Sequence, residues 1–330
     1  MIRTPSTPTV ARMLSPRVIT IGNFDGVHAG HRALLSRARS LAGGDGTVTA
    51  MAFDPHPLSR LRPSDAPDMI EPWDTRARRL LDAGADEVAR LEPTPERLSL
   101  APHQFVSWLI ETHRPDHLVE GPDFRFGRGR AGDIRLLQEL ASARGVAVHV
   151  VPPVIVTLRD QSEVVASSSM VRWLLEQGRV RDAAYVLERP HELTGTVVTG
   201  DRIGRTIGFP TANLVTEAMR PAPGVYAAVA LPGDADPVPA AVHIGGRPSV
   251  NDHRPRIEAH LLDDVGPWTP PASMPESGWA CTLRLIGRIR DVVKLDGLDR
   301  LKSQIARDCD RAREITRHQP RSPMRTPENA

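Results

Sequence analysis

Residues 18–31 read VITIGNFDGVHAGH, and the fold turns on how that stretch is parsed. Val18–Ile21 is a short β-rich run, Gly22, Gly26 and Gly30 punctuate the segment after it, and His31–Leu41 carries apolar residues at helical spacing. A strand that runs through a glycine-rich turn into a helix is the opening of a parallel α/β unit. Glycines let a ligand approach the backbone closely, and the unpaired N–H groups of a helix N-terminus favour an anion. His28 and His31 stand at the mouth of that helix, where an imidazole N–H can hydrogen-bond a phosphate without carrying full charge. Two plainer readings compete. An H-x-x-H pair can bind metal, but zinc takes three or four ligands and no third is nearby; alternatively, one histidine caps the helix. Placement directly after a strand and a glycine-rich turn favours a polyphosphate site.

Working outward, Thr47–Phe53, Asp86–Leu91, His117–Glu120 and Val146–Val151 read as further strands. Between them Thr75–Ala83, His103–Thr112 and Asp133–Arg144 have helical periodicity, the last with apolar residues at 134, 136, 137, 140 and 141 and Gly145 at its end. Strands separated by crossover helices predict a Rossmann-like parallel sheet. Met170–Leu187 is helical, interrupted at Gly178 and stopped by Pro190. From His191 the rhythm changes to short β-rich runs, Leu193–Thr199, Gly224–Leu231, Val238–Ile244, Arg256–Leu262 and Thr282–Ile289, which predict a small antiparallel β-barrel. Leu298–Ile315 closes as an amphipathic helix. The expected organisation is an α/β domain over 17–187 and a barrel domain over 188–316, with residues 1–16 and 317–330 disordered.

Composition narrows the function classes. The 330 residues include 42 basic and 40 acidic ones, a net charge of +2, too balanced for a surface that tracks nucleic-acid phosphates. The longest uncharged run, Gly145–Leu158, contains Pro152-Pro153 and falls short of the ~18 residues of a membrane helix. The N-terminus, MIRTPSTPTVARMLSP, is polar and proline-broken, without the apolar core of a signal peptide. Cys281 and Cys309, the only cysteines, make neither a disulfide framework nor a metal set. These features predict a cytoplasmic protein whose partners are small molecules rather than nucleic acid or membrane.

A second constellation lies at Gly200–Leu214, GDRIGRTIGFPTANL. Its glycines and proline are too many for a plain strand. Taken alone, it reads as a loop whose Thr and Asn side chains cap its own backbone.

GNFDGVHAGH resembles the signature of the adenylyltransferase module of bacterial bifunctional riboflavin kinase/FAD synthetases. AFDPHP (Ala52–Pro57), VEGPDFRFGRGRAGD (Val119–Asp133) and SSSMVR (Ser167–Arg172) follow in the family's order. The resemblance implies that His28 and His31 stabilise charge as the α-phosphate of ATP is attacked. It also implies that Gly22, Asn23, Phe24 and Gly30 belong to the nucleotide loop, that Ser168, Ser169 and Arg172 bind the terminal phosphates, and that Asp123 and Phe124 sit in a flavin- and nucleotide-side loop. GRTIGFPTANL resembles the flap and PTAN motif of riboflavin kinases. There Gly204, Arg205 and Gly208 match the phosphate flap, Thr211 and Asn213 the residues that organise Mg²⁺, and Glu258 in RIEAHLLD the general base. For Glu258 the plainer reading is an outward strand carboxylate paired with arginine. The chain departs from the family at His243, usually Asn, at Ser249, usually Thr, and across Asp263–Trp279, where a Tyr-Gly turn is usual. The resemblance therefore implies conversion of riboflavin to FMN and of FMN to FAD with ATP and Mg²⁺. The alternatives are adenylylation alone with a weakened kinase half, a flavin-binding sensor, or an adenylyltransferase acting on another phosphate, which would leave the barrel unexplained.

Overall fold

The computed structural model describes residues 15–200, 203–247, 252–263, 267 and 274–317. The chain folds into two compact bodies that do not follow sequence order. Residues up to 23, 32–63 and 77–152 form one; residues 24–31, 64–76 and those from 153 onward form the other.

The first body is built on a parallel five-stranded sheet. Its strands are β1 (Arg17–Gly22), β2 (Thr47–Phe53), β3 (Glu87–Leu91), β4 (His117–Glu120) and β5 (Ala147–Val150), in the order β3-β2-β1-β4-β5. The order reverses between β1 and β4, the switch point at which doubly wound sheets open a crevice beyond their strand ends. The helices of this half of the chain are α1 (Ala29–Ala42), α2 (Leu58–Leu61), α3 (Trp73–Asp82), α4 (Pro95–Ser99), α5 (Pro102–His113) and α6 (Ile134–Ser142). Local chemistry sets their starts. Pro102 is the first residue of α5, where its missing N–H costs nothing, and the Gln104 side chain accepts the Ala101 N–H at 2.9 Å. Asp133 caps α6 by accepting the Leu136 N–H at 3.0 Å. The core of this body gathers Ile19, Ile21, Met51, Leu109, Leu118 and Leu137.

After β5 the chain enters the second body with the hairpin β6 (Ile155–Thr157) and β7 (Glu163–Val165), then α7 (Ser168–Glu176) and α8 (Val180–Leu187). The remaining strands are β8 (His191–Val198), β9 (Ala212–Val215), β10 (Gly224–Pro232), β11 (Val238–Arg247), β12 (Asp252–Leu261) and β13 (Ala280–Arg290). A short helix, α9 (Ile203–Thr206), lies between β8 and β9, and α10 (Leu298–Thr316) follows β13. The strands close as β10-β11-β12-β9-β8-β13, so the Rossmann-like sheet and the antiparallel barrel are both present. Side chains alternate across the barrel wall. Tyr226, Ala228, Val242, Ile257, Ala259 and Leu283 fill the interior, while Ala227 and Ala241 face outward with Cys309 and Ala312 of α10.

One strand departs from expectation. Ala212–Val215, which the sequence presents as a loop, forms β9 and pairs with both β8 and β12. Gly208 and Pro210 mask it in the sequence, because strand pairing to distant partners overrides weak local propensity.

Candidate active sites

The residues after β1 form a tight turn in which the Val27 N–H meets the Phe24 carbonyl at 3.2 Å. Gly26 has φ +81°, natural for glycine, but Phe24 (φ +49°) and Val27 (φ +39°) adopt the left-handed region as well. Such conformations cost about 1–3 kcal/mol each and persist only where the surroundings over-determine them. Here the surroundings grip the turn at Asp25. Ser168 donates to the Asp25 carbonyl at 2.8 Å, and the buried Asp25 carboxylate accepts the Ile70 and Glu71 N–H groups at 3.0 and 3.4 Å and pairs with Arg172. Arg172 also donates through Nε to the Asp68 carbonyl at 2.9 Å. Burial raises the Asp25 carboxyl above its ordinary value, against the opposing charge of Arg172.

This turn presents the two histidines. Their rings stack with centroids 3.6 Å apart, and Phe24 packs edge-on against His31 at 5.1 Å. Both Nδ1 atoms are buried with no hydrogen-bond partner among the described residues. A buried polar atom without a partner calls for a ligand or a water. Burial, reinforced by Arg172, lowers His28 to about 4; burial, then His28 and Arg76, holds His31 well below 6.5. Both rings are therefore neutral at pH 7, donors of hydrogen bonds rather than fixed cations. Gly30 lets the start of α1 approach the Ala166 carbonyl: a Cβ there would sit 3.1 Å from that oxygen.

The expected phosphate residues on α7 divide by role. Ser167 caps the helix by accepting the Met170 N–H at 3.1 Å, and Ser168 and Arg172 are engaged with the turn, whereas Ser169 is exposed. In the other body, Gly22 ends β1 opposite Ala52, the Asn23 amide nitrogen lies 3.0 Å from His56 Nε2, and Phe124 stacks on Phe126 at 5.6 Å while Asp123 is exposed. Sequence reasoning does not single out Asp25, Glu71, Arg189 or Glu120. Glu120 carries a signal, a carboxylate closing the apolar strand HLVE. It is 2% exposed, accepts the Ile21 N–H at 2.7 Å, and burial raises it well above 4.5.

The barrel assembles the second site by register. Asn213 on β9 pairs with Glu258 on β12, and Glu258 pairs with His243 on β11. Directly opposed residues share a face of the sheet, which sets these three side chains in a row on the outer wall. Glu258 Oε1 accepts a hydrogen bond from Arg247 at 3.3 Å, the arginine pairing that the plainer sequence reading expects. Burial lowers His243 and His260; the first bonds the Gly246 carbonyl through Nε2 at 2.9 Å and the second the Pro210 carbonyl through Nδ1 at 2.6 Å.

Two clefts flank this row. One is walled by Phe209, Val225, Ala241, Leu301 and Ile305, with Thr211, His243 and Glu258 at its polar side. The other is lined by Thr199, Gly200, Pro210–Asn213, Glu276 and Trp279. Thr211 borders both. Two glycines leave room for the motif: a Cβ on Gly200 would lie 2.1 Å from the side-chain Nδ2 of Asn213, and one on Gly204 2.3 Å from the Phe209 carbonyl oxygen. Gly208 has φ +91°. The Arg205 side chain, Ser249, residues 264–266 and 268–273 of the divergent loop, and the termini 1–14 and 318–330 lie outside the described residues. Among those described, no three His, Cys, Asp or Glu side chains cluster as a metal site.

Residues 11–169 match the FAD synthetase family and residues 187–316 the riboflavin kinase family. The bifunctional riboflavin kinase/FMN adenylyltransferase of Escherichia coli (strain K12) is 37% identical over 306 residues, covering 90% of this chain and 92% of its own. The Bacillus subtilis (strain 168) protein of the same description is 30% identical over 302 residues, covering 89% and 91%. A crystal structure described as a macrolide-efflux protein from Streptococcus pneumoniae matches with a TM-score of 0.78 at 28% identity, covering 96% of both chains. No described helix here is long and apolar enough to cross a membrane. Identity of this extent, continuous through both matched segments, means that the chain belongs to the bifunctional riboflavin kinase/FMN adenylyltransferase family.

Proposed function

We infer that the chain phosphorylates riboflavin to FMN and adenylylates FMN to FAD, consuming ATP in both steps, with the adenylyltransferase in 17–187 and the kinase in 188–316. The observation that carries the kinase reading is the register of β9 against β12, which sets Asn213 beside Glu258 at the junction of two clefts. The apolar walls of the first cleft suit a planar isoalloxazine, and the second, with its glycines and the Thr211–Asn213 segment, suits the nucleotide. Glu258 Oε1 is engaged with Arg247, leaving Oε2 to take the proton of the 5′-hydroxyl as oxygen attacks the γ-phosphorus and ADP leaves.

Adenylylation needs no protein nucleophile. An FMN phosphate oxygen attacks the α-phosphorus of ATP, the bond to the bridging oxygen breaks, and pyrophosphate departs. His28 and His31 supply hydrogen bonds to the phosphate oxygens from an enclosed, preorganised position, where such bonds are strongest. Ser169 is the α7 hydroxyl available to the terminal phosphates, and Arg172 adds positive charge through a guanidinium fixed by Asp25.

Mg²⁺ fits the kinase residues. It takes few protein ligands and keeps phosphate oxygens and waters, and the Thr211 hydroxyl and Asn213 amide oxygen are neutral hard donors held against Gly204 and Gly200. Bound there, the ion would neutralise phosphate charge. Dependence of both reactions on ATP is in keeping with a cytoplasmic enzyme.

The decisive assay follows flavins by chromatography. Glu258→Gln lowers riboflavin phosphorylation by ~10²–10⁴-fold, the span of general-base contributions, and leaves FMN-to-FAD conversion intact. Parallel loss of both steps would refute the division of labour.

A further inference from the structure

The turn that presents His28 is held from a direction that neither motif foretells. Arg189 follows α8, beyond the segment matching the FAD synthetase family and inside the one matching riboflavin kinase. Its side chain is 7% exposed, and Nη2 donates both to the Gly26 carbonyl at 2.8 Å and to Glu71 Oε1 at 2.6 Å. Glu71 is 1% exposed and follows Ile70; the N–H groups of both residues hold Asp25. Gly26 also packs on Ile70 and on Leu187 of α8: a Cβ there would lie 3.1 and 3.2 Å from their side chains.

We propose that Arg189 is a positioning residue for adenylylation: by anchoring the Gly26 carbonyl, a residue of the kinase segment holds the strained Phe24–Val27 turn in the conformation that sets His28. Ser168, Arg172 and the 70–71 amides secure Asp25, one residue earlier. Among the described residues, Arg189 is the side chain that bonds the Gly26 carbonyl. Without it, a buried acceptor loses its donor next to two residues whose backbone angles are unfavourable on their own. The peptide is then released to relax, and His28, two residues on, moves with it. The adenylyltransferase half is thus completed by the first residues of the kinase half, and FAD formation depends on a residue outside its own domain. This rests on the reading of the His28–His31 turn as the phosphate cradle.

The test compares full-length Arg189→Met, Arg189→Lys and the double variant Glu71→Leu/Arg189→Met, assaying both steps on each preparation. Arg189→Met should lower kcat for FMN-to-FAD conversion at least tenfold while riboflavin phosphorylation stays within twofold. Arg189→Lys keeps N–H donors enough for both acceptors but ends short of the position that Nη2 occupies, so it should fall between. Replacing both members of a buried ion pair by apolar side chains of similar volume is often neutral or stabilising, whereas removing one alone leaves a buried charge unpaired. The double variant should therefore recover thermal stability without recovering adenylylation. A spectroscopic signature accompanies the loss: solvent reaching a loosened turn moves the His28 NMR titration upward from about 4. Adenylylation that returns with stability in the double variant, or an unchanged kcat in Arg189→Met, would overturn the proposal. Should Arg189→Met not fold, the double variant decides. His28→Ala, run alongside, separates the two levels: full FAD formation in that variant would refute the cradle itself.

Discussion

Acid should destabilise the second body through two buried histidines. His28 and His191 are 6% and 0% exposed, and burial lowers both to about 4, while in the unfolded chain each titrates near 6.5. Between those values the unfolded state binds more protons than the folded one, so stability is full above pH 6.5 and falls as pH drops toward 4. At pH 5 each ring is about 1.5 units into that window, or about 2 kcal/mol at 1.36 kcal/mol per unit. The pair therefore removes about 4 kcal/mol, a large part of the ~5–15 kcal/mol typical of a domain. Asp25 and Glu120, whose carboxyls burial raises, push the other way and favour the folded state at low pH. The measurement is accordingly a comparison among variants: urea midpoints at pH 7 and pH 5 for the native chain, His28→Asn and His191→Gln. Glutamine can still donate to the Met219 carbonyl, which His191 Nε2 contacts at 2.8 Å. Each substitution should shrink the loss between pH 7 and pH 5 by about 2 kcal/mol, the share of one ring. An undiminished loss in both variants would show that neither imidazole is held neutral. ATP sharpens the test, because phosphate charge favours the imidazolium. Its stabilising effect should be greater at pH 5 than at pH 7 in the native chain and lose that dependence in His28→Asn.

Gly200→Ala inserts a Cβ 2.1 Å from Asn213 Nδ2 and 2.6 Å from Cγ, which displaces the amide. A misplacement of this size costs about 10²-fold in rate, so FMN formation should fall while FAD formation from supplied FMN is untouched; equal activities in variant and parent would dismiss the role given to Asn213. Glu120→Gln keeps an acceptor for the Ile21 N–H and removes a buried acid, so it should stabilise the chain at pH 8 but not at pH 5. A pH-independent effect in hydrogen-exchange protection of β1 would contradict the burial argument.

The legible parts of the fold are those written in short-range chemistry. Asp133 before an apolar 3–4 repeat and Gly145 after it bracket α6, and Val18–Ile21 followed by three glycines announces β1 and its turn. Both depend on neighbours a few residues apart. β9 is not legible, because its four residues become a strand only through partners at 196–198 and 258–259. The same distinction separates the site residues. His28 and His31 sit three apart on one chain segment and can be paired by eye. Arg189 and Gly26 are 163 residues apart, and no local periodicity encodes such a contact.

Glu258 shows why motif and geometry must be read together. In the sequence, a strand carboxylate paired with arginine and a proton acceptor are competing descriptions of the same residue. The structure accommodates both, since Arg247 binds Oε1 while the register sets the residue beside Asn213. They are compatible because a carboxylate has two oxygens and about four acceptor sites: the ion pair fixes the rotamer through one oxygen and leaves the other directed by that same constraint. An arginine contact is therefore poor evidence against catalysis when it occupies a single oxygen. The opposite inference would hold had Arg247 engaged both, as Arg290 engages Asp308 through Nε and Nη2. That second carboxylate has its accepting capacity spent on joining α10 to β13, which marks it as structural although it lines the same cleft.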